Sequence, residues 1–138
     1  MKIGARVQNS EGQHQVTLRT GDTVHNLAVA PKPTGFGSRT NGGELLCLAL
    51  ATCYCNDLYR EAAQRGIDIE QVEVEVESEF GAAGSPAENM KYRVRVVTKA
   101  GEGEVQALLH HTDRVAEVQN TLRVGTAVTL ESAEVVGG

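Results

Sequence analysis

The stretch NGGELLCLALATCYCNDLYREAAQRG, residues 41–66, decides the fold. It reads as one long helix. Asn41 can accept from the exposed N–H groups of a first turn while Glu44, three residues on, reaches back, the pairing of a capping box. Gly66 supplies the stop. Between them Leu45, Leu46, Cys47, Leu48, Ala49, Leu50, Ala51 and Cys53 leave no polar stripe, which predicts a helix buried all round in its first half. From Asn56 onward Asp57, Arg60, Glu61, Gln64 and Arg65 are expected to return the second half to water. The apolar run is shorter than the ~20 residues a bilayer requires, so the helix belongs to a core or an interface.

The flanking sequence is read outward from that helix. Residues 2–30 read as three short strands, KIGARVQ, QHQVTLR and TVHNLAV, separated by Asn9-Ser10-Glu11-Gly12 and Thr20-Gly21-Asp22, which makes a meander the simple topology. PKPTGFGSRT, residues 31–40, is an irregular loop leading into the helix. Beyond Gly66, Val72, Val74 and Val76 alternate strictly with Glu73, Glu75 and Glu77. Past GAAGSPAEN, Tyr92, Val94 and Val96 alternate with Lys91, Arg93 and Arg95. Antiparallel pairing of the two runs sets Glu opposite Arg and fixes which face is wet. A second helix is expected over Gly103 to Ala116, with Val105, Leu108, Leu109, Thr112 and Val115 on one face. Leu122 to Val136 reads as a closing strand. The order is βββ-α-ββ-α-β, an α+β fold with a long central buried helix, expected as a single domain over residues 1–138.

Composition narrows the function classes. The chain has 138 residues, no Trp, two Phe and three Tyr, so its core is aliphatic. A net charge of −5 without a basic cluster argues against nucleic acid. No membrane partner is expected either. No charged and apolar leader stands at the N-terminus, and the three cysteines are confined to one helix rather than spread as a disulfide framework. A cytoplasmic setting is the expectation.

All three cysteines gather on the helix. Cys53 lies where the apolar half meets the polar half, the partly accessible and polar setting a reactive thiolate needs. Cys53 and Cys55 point about 200° apart, and Cys47 and Cys55 stand about 12 Å apart along the axis, so no disulfide forms within the helix. The everyday use of free cysteine is as a small buried hydrophobe. C-x-C lacks the spacing of a zinc site, and His14, His25, His110 and His111 are scattered. No metal or cofactor is expected. The Glu73 to Glu79 row reads as a solvated strand face. Tyr54 and Tyr59 serve either a pocket or the core.

NGGELLCLALATC is similar to the segment N-P-x-E-L-x-x-A-x-x-A-C of the osmotically inducible protein C and organic hydroperoxide resistance (OsmC/Ohr) family, and with the two alternating strands and the tail NTLR the chain resembles that family over nearly its whole length. The resemblance implies an intertwined homodimer with the cysteine-bearing helices at its centre. It also implies thiol-dependent reduction of organic peroxides, with Cys53 as the nucleophile and a second cysteine resolving it. The family's resolving position falls on Ala116, and its Pro and catalytic Glu fall on Gly42 and Gly43, leaving Glu44 at the next position. Arg19 and Arg39 are the candidates for an activating arginine. Resolution must then come from Cys55, from the partner chain or from a small external thiol, of which only the last two escape the helix geometry. The alternative is a non-catalytic member that binds a small apolar or electrophilic ligand at the dimer interface.

Overall fold

A computed structural model describes residues 1–137. The chain falls into two compact units, Met1–Leu46 and Cys47–Gly138. In the first, β1 (Ile3–Ser10), β2 (Gln13–Thr20) and β3 (Thr23–Asn26) form the expected antiparallel meander in the order β1-β2-β3. The register sets Val7 opposite Val16 and Ala5 opposite Leu18. Both tight turns need a left-handed residue, which Gly12 (φ 72°) and Gly21 (φ 58°) supply without steric cost. β3 is shorter than its apolar pattern suggests and ends before Leu27. The loop beyond it folds back on the first hairpin: the Gly12 N–H donates to the Gly35 carbonyl at 3.1 Å, and the Gly37 N–H to Asn9 Oδ1 at 3.0 Å.

Helix α1 (Gly42–Gln64) begins and ends as its sequence dictates. The Glu44 N–H donates to Asn41 Oδ1 at 2.8 Å, and the Asn41 N–H donates back to Glu44 Oε1 at 3.0 Å, a reciprocal capping box. At the other end Gly66 is left-handed (φ 65°), with the Ile67 N–H donating to the Ala62 carbonyl and the Gly66 N–H to that of Ala63. This is a Schellman stop, and the buried pair Ala62 and Ile67 provides its apolar contact.

Burial along α1 departs from the expectation. Leu45 and Leu48 are exposed in the single chain, whereas Tyr54, Asp57, Leu58, Glu61 and Ala62 are buried. The expectation of a first half buried all round fails because apolar sequence reports a side chain's preference for water, not where the rest of the chain supplies cover. Cover exists over the second half. There Tyr54, Leu58 and Ala62 pack with Ile67 and with Val105 and Leu108 of α2 (Glu102–Val115) into one cluster.

The cluster is roofed by β4 (Gln71–Glu79) and β5 (Glu88–Val97). Their register is the predicted one, with Val72, Val74 and Val76 opposite Val96, Val94 and Tyr92 on the inner face, and Glu73, Glu75 and Glu77 opposite Arg95, Arg93 and Lys91 on the outer. Arg93 bridges Glu75 and Glu77 at 2.7 and 2.9 Å. These exposed pairs contribute little to stability; they mark which face is wet.

The expected closing strand from Leu122 to Val136 does not form within the chain. Leu122 and Arg123 instead end a third helix, α3 (Glu117–Arg123), and Gly125 (φ 63°) turns the chain out of it. The following residues carry no secondary structure, with Val128, Leu130 and Val135 exposed. A strand exists only through a hydrogen-bonded neighbour, and β-propensity alone does not supply one.

Candidate active site around Cys53

Cys53 sits half-buried on α1, one turn before Asp57. A spacing of four residues puts the two side chains on one helix face, and the Cys53 thiol donates to Asp57 Oδ2 at 3.4 Å. Asp57 is only 6% exposed, so its carboxyl must find partners inside the protein. Arg60 Nη1 provides one at 3.1 Å. The same guanidinium reaches Glu61 at 2.9 Å and Glu117, the first residue of α3, at 3.2 Å. His111 of α2 closes the network with Nε2 placed 2.6 Å from Glu61 Oε1. Asp57 and Glu61, expected to face water, are thus the buried half of a charged cluster centred on Arg60.

The electrostatics keep the thiol protonated. Burial pushes the Cys53 thiol up, the Val118 backbone N–H opposes this, and the Asp57 and Glu117 carboxylates push it further up. Burial likewise raises Asp57, helped by a shared hydrogen bond with Glu117, while that bond lowers Glu117.

Cys53, Asp57 and Glu117 bring one ligand atom each to within 4.8 Å of one another, a spacing a metal ion could use. Arg60 already bridges both carboxyl groups, and the raised thiol is the wrong form for a ligand, so we assign no metal there. Ala116, immediately before Glu117, is fully buried and offers no sulfur. All three cysteines are free, as the helix geometry requires, and Cys47 contacts the Ser78 hydroxyl at 3.4 Å. Cys55 is half-buried. Glu44 is engaged as the helix cap. Arg19 lies on β2 opposite Gly4 and Val24, and Arg39 follows the Pro31 to Ser38 bridge, both within the first unit. Tyr54 joins the core, its hydroxyl donating to the Leu109 carbonyl and its ring edge-on to Tyr92. Tyr59 stays exposed.

Sequence reasoning passed over Asp57, Arg60 and Glu117. The first two left a signal in the i, i+4 and i, i+3 spacings from Cys53 to Asp57 to Arg60. Glu117 left none, since it meets Arg60 across 57 positions of sequence.

The cluster has a consequence for acid stability. Arg60, and then His111, hold Glu61 below the ordinary carboxylate range against the opposing effect of burial. A folded pKa below the unfolded one contributes stability that is complete above the usual value of 4.5 and is lost as pH falls through the folded value. Glu61→Gln is therefore expected to flatten the acid limb of a stability curve measured by urea unfolding at successive pH. An unchanged limb would exclude Glu61 as a source of acid sensitivity.

A long helix that carries a half-buried cysteine and packs against a β-hairpin and a second helix defines an α+β class of protein. The OsmC-like protein family model matches residues 35–131, and the chain belongs to that family. Solved structures of similar fold include an OsmC-like protein from Mycoplasma pneumoniae (18% identity, 89% of this chain and 88% of that one covered, TM-score 0.65). An organic hydroperoxide resistance protein from Elizabethkingia anophelis (16%, 89% and 89%, TM-score 0.60) also shares it. So does an organic hydroperoxide resistance protein from Legionella pneumophila (22%, 89% and 90%, TM-score 0.54). No curated protein matches the chain. Among the described residues no helix is long and apolar enough to cross a membrane.

Proposed function

We propose that the protein is a homodimeric, thiol-dependent reductant of organic hydroperoxides, acting through Cys53 in peroxide stress in the cytoplasm as a single OsmC-like domain. The observation that carries the reading is the Cys53 thiol, held half-buried on the family's central helix and hydrogen-bonded at 3.4 Å to a buried carboxyl group. The hydroperoxide resistance proteins that share the fold support it. In the reaction the sulfur attacks the outer peroxide oxygen. The S–O bond forms, the O–O bond breaks, and the alkoxide leaves as the alcohol after taking a proton, with Cys53 left as the sulfenic acid. Because Ala116 carries no thiol, an external thiol condenses with the sulfenic acid and releases water. A second equivalent frees Cys53 and leaves as the external disulfide. Cys55 is at most a secondary thiol, and Arg39 or Arg19 is the proposed source of any activating cation.

The test is consumption of cumene hydroperoxide in the presence of a dithiol. Wild type turns over and Cys53→Ser loses activity to background, whereas Arg39→Ala and Arg19→Ala report whether either cation contributes. Equal rates in wild type and Cys53→Ser would sink the reading.

A second reading is a non-catalytic member that binds a small apolar or electrophilic ligand, and the protonated resting thiol together with Ala116 favours it. It predicts saturable calorimetric binding of cumyl alcohol that persists in Cys53→Ser, with no peroxide turnover in wild type.

A further inference from the structure

A thiol that rests protonated needs somewhere to send its proton when it reacts, and a peroxide or disulfide that is attacked needs a proton for the fragment that departs. Both needs meet at one place beside Cys53. The thiol points at Asp57 Oδ2, and Glu117 brings its carboxylate into the same cluster, within 4.8 Å of both. The two carboxyls come from different elements, α1 and α3, and Arg60 Nη1 binds one oxygen of each, at 3.1 and 3.2 Å. We propose that Asp57 is a catalytic residue, taking the proton from Cys53 as the sulfur attacks, and that the Asp57 and Glu117 pair returns a proton to the leaving group.

Every proton and electron pair is accounted for. With a hydroperoxide, the S–H bond breaks, its proton passes to Asp57, the S–O bond forms and the O–O bond breaks. The departing alkoxide takes the proton that Asp57 accepted from Cys53, so the pair ends as it began. With a disulfide the S–S bond of the reagent breaks in the same manner, and its thiolate takes the proton. Arg60 holds the two carboxyls together and offsets part of their negative charge, which makes it a positioning residue. The other charged groups facing the pair are Glu61 on α1, which shares Arg60 at 2.9 Å, and His111 on α2, whose Nε2 lies 2.6 Å from Glu61. Burial raises the Asp57 carboxyl, which makes it the better proton acceptor of the two, while the exposed Glu117 shares its hydrogen bond.

The proposal rests on the chemistry assigned to Cys53 above, and its test separates the two. Three reagents are compared on wild type and Asp57→Asn across a range of pH, with modification at Cys53 resolved from Cys55 by tandem mass spectrometry. Iodoacetamide releases iodide and needs no proton. Cumene hydroperoxide, read by dimedone capture of the sulfenic acid, and hydroxyethyl disulfide both release basic leaving groups. Asp57→Asn removes the proton acceptor but also a carboxylate that disfavours the thiolate, so the two effects oppose and alkylation at neutral pH is expected to change by less than about tenfold. The two proton-requiring reactions are expected to fall about a hundredfold, the lower end of what general acid–base catalysis contributes. A merely structural role moves all three rates by a similar factor, and that outcome overturns the proposal. Glu117→Gln, at an exposed position and so safer for folding, is expected to show the same split at smaller amplitude, and a uniform change there overturns it equally. If wild type forms no sulfenic acid while the disulfide and iodoacetamide rates still split, the relay stands and the peroxide reading falls.

Discussion

Leu48→Glu is expected to dissociate the proposed homodimer, weakening it by well over a hundredfold. Leu48 is 55% exposed in the single chain, and its neighbour Leu45 is exposed with it, in the middle of the most apolar run of the sequence. Burying a leucine side chain contributes ~1.5–3 kcal/mol, and forcing a carboxylate into the same contact adds an effective desolvation cost of several kcal/mol. Each ~1.4 kcal/mol is a factor of ten in the dissociation constant. Sedimentation or light scattering at micromolar concentration should find a dimer in wild type, a monomer in Leu48→Glu and a retained dimer in Leu48→Met. A wild-type monomer, or a Leu48→Glu dimer of undiminished affinity, contradicts the homodimer.

Leu58→Ala carries the largest expected loss of folding stability. Leu58 is fully buried between Tyr54 and Ala62 on its own helix and packs in one cluster with Ile67, Val105 and Leu108. Truncating a leucine in such a setting removes transfer free energy and leaves a cavity that close-packed neighbours fill only in part, together costing ~2–5 kcal/mol. The urea midpoint should fall with little change in slope, since the surface exposed on unfolding is nearly the same. Tyr59→Ala, one position along but 42% exposed, is the comparison and should cost much less. Similar midpoints for the two variants would mean that the cluster around Leu58 is not the core of its unit.

How legible each feature was depended on the range of the interaction behind it. The capping box at Asn41 and Glu44 and the Schellman stop at Gly66 involve partners a few residues apart, and both stand where the sequence pattern put them. The hairpin register was equally legible, because alternation of Val with Glu on β4 and of Val with Arg on β5 leaves one pairing that satisfies both faces. The second helix showed its buried face at Val105, Leu108 and Thr112. The segment after Ala116 was misread. Leu122 read as the start of a strand, but it lies in a helix whose buried residue is Gln119, its amide donating to the Leu50 carbonyl across the core, and apolar periodicity cannot detect a helix anchored by a glutamine.

By itself, then, the sequence determined the elements whose signals are local: the caps, the turns, the alternating strands and the choice of Cys53 at the seam of the long helix. Only the tertiary structure decided which half of that helix is covered and which charges share its interior. Asp57, Arg60 and Glu61 carry the same formal charges on paper as any solvent-facing trio. They became the surroundings of a thiol because α2 brings His111 and α3 brings Glu117 against them. Burial and charge pairing depend on what lies across the gap, and a helix's own spacing says nothing about that.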